Sequence, residues 1–316
     1  MMKGVNTMSN LTKIPMSKLP SGIIFSENGD TLLMEMSQTG ITANMQENNS
    51  AFEAWALLAR TAGYTRVELS GNECTKEMSK AEKRHYHRFL YRVLRFEKGF
   101  DWFSITDSLR EKAEAFERIE LSRDLFVNAP IVEAKPQTDS PEANMERLLV
   151  CDENRDFLNN KLHIKIDKFY NQLPVGLFGE SVKSETAIFP RSHAAIDIWG
   201  LDGNAFHLIE LKVKSNQKLS VLSEVLFYAC FINDMYCQRN LERKSPINLQ
   251  KYGEKLRGYP ELIKTSITSV VAHILTEKKH SQLDKAFAEL HLCKLNGIRF
   301  DNAECYSPSE LIVKLQ

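Results

Sequence analysis

The sequence predicts an α/β chain, α+β overall, built in two parts. Three observations carry this. Two β-type runs flank Asp202-Gly203, a dipeptide that suits a tight hairpin turn. An apolar segment of helix length, Ser220 to Asn233, follows them, and strand-like and helical runs then alternate towards the C-terminus. A polar stretch from Val132 to Pro141, with Lys-Pro-Gln-Thr-Asp-Ser-Pro at its end, separates this half from an earlier one with strands and helices of its own. Residues 1–131 therefore read as an N-terminal α+β domain, 132–141 as a linker and 142–316 as a second domain.

In chain order, the first ten or so residues read as a loose tail. Gly22-Ile-Ile-Phe, Ser-Glu-Asn28-Gly29-Asp and Thr-Leu-Leu-Met-Glu-Met form a hairpin. Ser50 to Ala62, rich in Ala and Leu, is a short helix stopped by Gly63. Thr65 to Ser70 is strand-like, and Lys76 to Phe96 is a long helix ended by Gly99. On that helix Arg84, Arg88, Arg92 and Arg95 share one face, while Leu90, Val93, Leu94 and neighbouring aromatics cover the other. The arginine stripe is a candidate for phosphate contact; a solvated face paired with local glutamates is the alternative. Phe100 to Ile105 is a strand and Asp107 to Leu121 a charged helix.

Beyond the linker, a helix starts at about Pro141 and is broken by the polar Asp152 to Asp156. Gln172 to Glu180 opens a sheet, and Ala187-Ile-Phe-Pro leads into the hairpin. The segment from Arg239 to Lys264 carries Arg239, Arg243, Lys244, Lys251, Lys255 and Arg257, and is a second candidate for phosphate contact. Ser266 to Leu275 is a buried strand, Ser281 to Leu292 a helix and Gly297 to Phe300 a short last strand. The second domain is thus expected to run helix, three strands in a meander, helix, strand, helix, strand.

Composition bounds the function. Lys+Arg and Asp+Glu are both 41, so no global field draws the chain onto nucleic acid or membrane, and any such contact must come from a local patch. The six cysteines form no CxxC pair and no zinc-type cluster with histidine. With no signal-peptide pattern and no long uncharged apolar run, a cytoplasmic location without a membrane partner is expected. The eight histidines show no Ser-His-Asp ordering and no H-x-x-x-H pair; His193 and His207, near the hairpin, are left out of the site.

The chemistry-bearing stretch is His193 to Lys214. With Asp202-Gly203 as the two-residue turn, Leu201 faces Asn204 and Asp197 faces Leu208. Side chains alternate, so Asp197, Leu208, Glu210 and Lys212 point one way, and Ile196, Ile198, Ile209, Leu211 and Val213 the other. Asp197 and Glu210 are then diagonal neighbours roughly 7 Å apart at the backbone. Paired carboxylates on half-buried strands repel unless a cation sits between them, and a hard ion such as Mg²⁺ (or Mn²⁺) fits oxygen ligands. Lys212 beside them suits positioning or deprotonating a water, or stabilising charge on a phosphate. The bland alternative is a solvated hairpin face that carries Asp, Glu and Lys by chance.

Asp197…Glu210-Leu-Lys212 resembles the D…(D/E)xK signature of the restriction-endonuclease-like, or PD-(D/E)xK, nuclease superfamily. The resemblance covers roughly residue 142 onward. It implies a mixed sheet flanked by helices, one or two Mg²⁺ ions, Asp197 and Glu210 as metal ligands, Lys212 as the catalytic lysine, and hydrolysis of phosphodiesters. Glu224-Val-Leu-Phe-Tyr228 resembles the Q-x-x-x-Y helix motif of RecB-like members, which makes Glu224 and Tyr228 supporting residues. Glu stands there for Gln, so an exonuclease assignment does not follow; Ile196 stands where members often have Pro. Members often add an acid from the helix before the first strand: Glu146 is the candidate, with Glu142 and Glu153 as rivals. The function expected is a Mg²⁺-dependent nuclease, an endonuclease acting on DNA rather than RNA. Restriction, anti-phage defence or DNA repair would be its setting, and a homodimer or a protein partner held by the N-terminal domain is expected. The reading from another class is a non-catalytic nucleic-acid or protein-binding module on the same fold.

Overall fold

Alternation of apolar and polar residues builds the first sheet in the computed structural model, which describes residues 13–14, 19–71, 77–130, 140–190, 194–238 and 256–312. β1 (Ile23–Asn28) and β2 (Thr31–Met36) form the expected hairpin, with Gly29 at φ +61° in the turn. β2 buries Leu32, Met34 and Met36 on one face. β3 (Arg66–Gly71) and β4 (Phe103–Ile105) add in parallel, giving the order β1-β2-β3-β4. Around this sheet lie α1 (Gln38–Thr42), α2 (Phe52–Thr61), α3 (Lys80–Gly99) and α4 (Asp107–Glu120). Ser79 and Glu82 start α3 with a reciprocal capping box.

The second sheet has five strands. It is preceded by α5 (Pro141–Leu149), capped by Ser140, and α6 (Arg155–Leu162), which lies beyond the polar break at Asp152–Asn154. β6 (Phe169–Pro174), β8 (Ala195–Asp202) and β9 (Ala205–Lys212) are an antiparallel meander. α7 (Val221–Ile232) follows, then α8 (Tyr259–Leu262), β10 (Ser269–Thr276) parallel to β9, α9 (Leu283–Leu290) and β11 (Ile298–Cys305) parallel to β10. The architecture is mixed α/β with two open mixed sheets, and the second half follows the expected order with the short α8 added before β10. The segment expected to open this sheet divides: β6 forms its edge, while β7 (Leu177–Gly179) leaves to pair with β5 (Leu125–Val127) in a two-stranded ribbon. The last strand runs five residues past Phe300, through polar Asp301 and Asn302.

Ile198, Ile209, Leu211 and Leu275 pack against Leu149, Leu158 and Leu162 of α5 and α6 on one face of the second sheet. On the other face Trp199, Phe206, Leu208 and Ile274 meet α7, in an apolar cluster that also takes in Phe52, Phe89 and Tyr91 from the N-terminal half. Tyr91 stands edge-on to Phe227, 5.9 Å between ring centres. α7 is buried on every side, so it is a central helix between the second sheet and the N-terminal elements. Among the described residues no helix is long and apolar enough to cross a membrane.

Two expectations are corrected. The hairpin turn is Gly203-Asn204: Asp202 pairs with Ala205, and Trp199, not Asp197, pairs with Leu208. Gly203 takes φ +56° at the first central position, the conformation glycine adopts without a Cβ clash. The shift moves both strands by one step, so facing parity survives. The arginine stripe of α3 is not a solvated face from Arg88 onward, because α3 is enclosed there by its neighbours. Arg92 lies against Glu53 in a fully buried pair and also donates to Ser50 O, 2.9 Å. Arg95 is shared between Asp234, 2.7 Å, and Glu117, 2.8 Å. Arg84, half-buried, donates to the carbonyl of Ser184. The second phosphate-contact candidates Arg239, Arg243, Lys244, Lys251 and Lys255, with most of the 132–141 linker, lie outside the described residues.

A buried charge is tolerated when paired and costly when orphaned. Glu53→Ala should therefore destabilise the chain by about 3–5 kcal/mol, by stranding Arg92. Urea unfolding measures it; a loss below about 1 kcal/mol would place the pair among weak surface-type bridges.

Candidate active site

The site forms where the meander meets α5 and α7. The β8–β9 pairs run from Asp202–Ala205 to Ile198–Ile209, and one step further puts Asp197 and Glu210 at facing positions. Asp197 Oδ2 accepts from the backbone N–H of Leu211, 2.9 Å, so its side chain ends the strand pairing and is held in place by it. Lys212 Nζ donates to Glu210 Oε1 at 2.7 Å and to Glu224 Oε2 at 3.4 Å. Glu142 Oε1 and Asp197 Oδ2 are 3.6 Å and 4.0 Å from the same ammonium. Four carboxylates from β8, β9, α5 and α7 thus converge on one cation.

Glu146, one turn after Glu142 on α5, is buried beside them and accepts from the side chain of Gln172. Gln172 has φ +57°, a left-handed backbone rare outside glycine. It occupies the β6 position between the pairs Asn171–Ile198 and Leu173–Ile196, next to Asp197 across the sheet. Tyr228, one turn after Glu224 on α7, is fully buried, and its hydroxyl has no hydrogen-bond partner among the described residues. The structure therefore brings together Asp197, Glu210, Lys212, Glu224, Tyr228 and Glu146, together with Glu142. Glu153 lies past the end of α5, in the turn at Asp152–Asn154.

The acids outnumber the cations, and the protonation balance reflects it. Burial raises the Asp197 carboxyl to about 6, Lys212 acting against it. Burial, then the charge of Asp197, raises Glu146 to about 8. Burial and Asp197 likewise hold Glu210 well above the carboxylate range. Burial opposes the Lys212 ammonium, but Glu210, Glu224, Asp197 and Glu142 together outweigh it and raise the group above its ordinary value. The neighbouring acids thus favour the charged form of Lys212, a state that suits stabilising negative charge.

Two carboxylate oxygens in the cluster, Glu210 Oε2 and Glu142 Oε1, are buried without a hydrogen-bond partner among the described residues, though Glu142 Oε1 lies 3.6 Å from the Lys212 ammonium. An orphaned carboxylate oxygen in a net-negative cluster is a place for a cation. Among the described residues no group of three or more His, Cys, Asp and Glu side chains is set out as a metal centre, because the acids here turn towards Lys212. A two-carboxylate set still suits Mg²⁺, which keeps several waters and takes one or two protein carboxylates beside substrate phosphates. Lys212 also borders a cleft just large enough for a water molecule, where Lys218 and Lys278 supply the local positive charge.

His207 lies on the opposite face of the sheet, stacked on His273 with Nδ1 and Nε2 3.1 Å apart. It takes no part in the cluster, as expected of a structural histidine; His193 is outside the described residues. The sequence missed Gln172 and the N-terminal Gln46, whose amide donates to Glu224 Oε2, 3.2 Å. Neither sits in a motif. Compared with family models, with curated proteins and with solved structures, the chain matches none of them.

Two outcomes are expected. Asp197→Asn keeps an acceptor for Leu211 and removes one charge from an over-acidic cluster, so metal-free protein should gain roughly 1 kcal/mol and melt higher. A lower melting temperature would mean that Lys212 needs the Asp197 charge for stability. Burial, then His207 and Arg299, pushes His273 down to about 3. Between that value and about 6.5 the unfolded chain binds the extra proton, so stability falls as the pH drops through this window, by up to about 1.4 kcal/mol per unit. Urea midpoints at pH 7, 5 and 4 should show a shallower acid loss in His273→Gln; equal slopes would refute the assignment.

Proposed function

We propose that the chain is a metal-dependent nuclease that hydrolyses phosphodiester bonds, DNA favoured over RNA, on a restriction-endonuclease-like second half. The observation that supports it most is the meeting of Asp197, Glu210 and Lys212 in one buried cluster with two orphaned carboxylate oxygens. Asp197 and Glu210 would hold Mg²⁺ (or Mn²⁺), which when bound polarises the scissile phosphate and lowers the pKa of water. Lys212, held charged between Glu210 and Glu224, offers its ammonium to the negative charge that grows on the phosphate oxygens. Glu224 fixes the direction of that ammonium. Tyr228 has a buried hydroxyl free to donate within the cluster. Glu146 and Glu142 add acid from α5 and set the local charge. The N-terminal half selects substrate or partner, and a second copy would serve cutting of both strands. Restriction, anti-phage defence or DNA repair in the cytoplasm is the setting this suggests by analogy.

One observation favours the other class, a non-catalytic nucleic-acid or protein-binding module. Glu210 and Lys212 are nearly closed off from solvent, so a phosphate reaches them only if α5 or its surroundings move. Purified protein incubated with plasmid, linear DNA and RNA, with Mg²⁺, Mn²⁺ or EDTA, separates the two. Metal-dependent cutting of DNA is expected; no cutting of any substrate would leave the binding module standing. In the same assay Lys212→Ala should abolish cleavage yet keep most Mn²⁺ affinity by calorimetry, whereas Asp197→Ala and Glu210→Ala should lose both. Full activity in Lys212→Ala would refute the catalytic role of the lysine.

A further inference from the structure

Gln46 belongs to the N-terminal half, 178 residues from Glu224 in the chain, yet the two side chains are hydrogen-bonded at 3.2 Å. The loop that carries Gln46 is pinned to the start of α7, because Ser220 Oγ donates to Gln46 O, 2.8 Å. Gln46 Oε1 in turn accepts from Asn44 Nδ2 at 2.8 Å, and Asn44 Oδ1 accepts from Arg88 Nη2 at 2.9 Å. Chemistry fixes the direction of this chain. A guanidinium only donates and a carboxylate only accepts, so both carboxamides must point the same way, donors towards Glu224. Successive bonds so aligned polarise one another.

Arg88 explains why such a chain is needed. Its side chain is 2% exposed, and its contacts among the described residues are Asn44 Oδ1, His85 Nδ1 at 3.0 Å and the face of Phe227 at 5.7 Å. Among the described residues no carboxylate lies within ion-pair distance of it, in contrast to Arg92 and Arg95, and Glu224 and Glu53 act on it only from further off. A buried guanidinium without a partner acid is costly. Here its donor strength passes through Asn44 and Gln46 to an acid of the site. At the far end Glu224 Oε2 receives two donors, Gln46 from the N-terminal half and Lys212 from β9.

We propose that Gln46 is a positioning residue: with Asn44 and Arg88 it holds Glu224 in the place that orients Lys212, so the site is complete only with the N-terminal half docked on α7. Its effect on catalysis rests on the nuclease reading; its effect on Lys212 does not. The test uses the full chain. Gln46→Met keeps the length of the side chain and removes the donor; Asn44→Ser, at another half-buried position, breaks the chain one link earlier. The first readout is the acetylation rate of Lys212 in metal-free protein pulsed with acetic anhydride and read by peptide mass spectrometry. Lys212 should label about ten-fold faster in both variants, the change expected for one hydrogen bond to a charged group, at an unchanged melting temperature. The second readout is cleavage, where kcat should fall about ten-fold with KM within about two-fold, since Gln46 meets no substrate. Unchanged Lys212 labelling in a folded variant overturns the proposal. Should Gln46→Met fail to fold, labelling in Asn44→Ser decides it. Wild-type protein that cuts nothing would sink the nuclease reading alone, and labelling would still decide the role of Gln46.

Discussion

One ammonium holds the centre of this molecule together. Lys212 lies at the end of β9, inside, with Glu210 on its own strand, Asp197 on β8, Glu142 on α5 and Glu224 on α7. Strand pairing sets Asp197 and Glu210 face to face, and the acids repel one another when the lysine is taken away. The single positive charge therefore makes an over-acidic contact tolerable, and does so at the spot where sheet, preceding helix and following helix meet. Excess carboxylate remains even so. It appears as raised proton affinity on Asp197, Glu146 and Glu210, and as two oxygens with no donor. A cluster with these properties is poorly optimised for stability.

The N-terminal half answers the same electrostatic problem from the other side of α7. α3 sends three arginines inward. Two neutralise Glu53, Asp234 and Glu117, while Arg88 reaches the cluster through two carboxamides. The stripe that reads as a phosphate-binding face in sequence is, from Arg88 onward, a set of internal counter-charges.

Parity was legible where register was not. Asp197, Glu210 and Lys212 share a face for any odd-sum pairing of the two strands, so the Asp-Gly reading and the observed Gly203-Asn204 turn place them alike. The change in turn still matters, because it brings Asp197 from a diagonal position to one facing Glu210. The choice between Glu142 and Glu146 had no answer in spacing, since both sit one turn apart on the same side of α5 and both face the cluster. Gln46 and Gln172 carried no signal at all. A lone glutamine in a loop is ordinary until the fold brings an acid to it.

The sequence by itself determined most of the principal strands and helices, the shared face of the D…ExK residues, the burial of the helix carrying Glu224 and Tyr228, and the mixed α/β class. Those follow from local periodicity and turn chemistry, which act over a few residues. Only the tertiary structure decided that α3 faces inward, that α5 brings two acids rather than one, and that a loop of the first half bonds to Glu224. Each depends on which surface packs against α7. Side-chain pairing across 39 to 178 residues is set by that packing, and no local pattern encodes it.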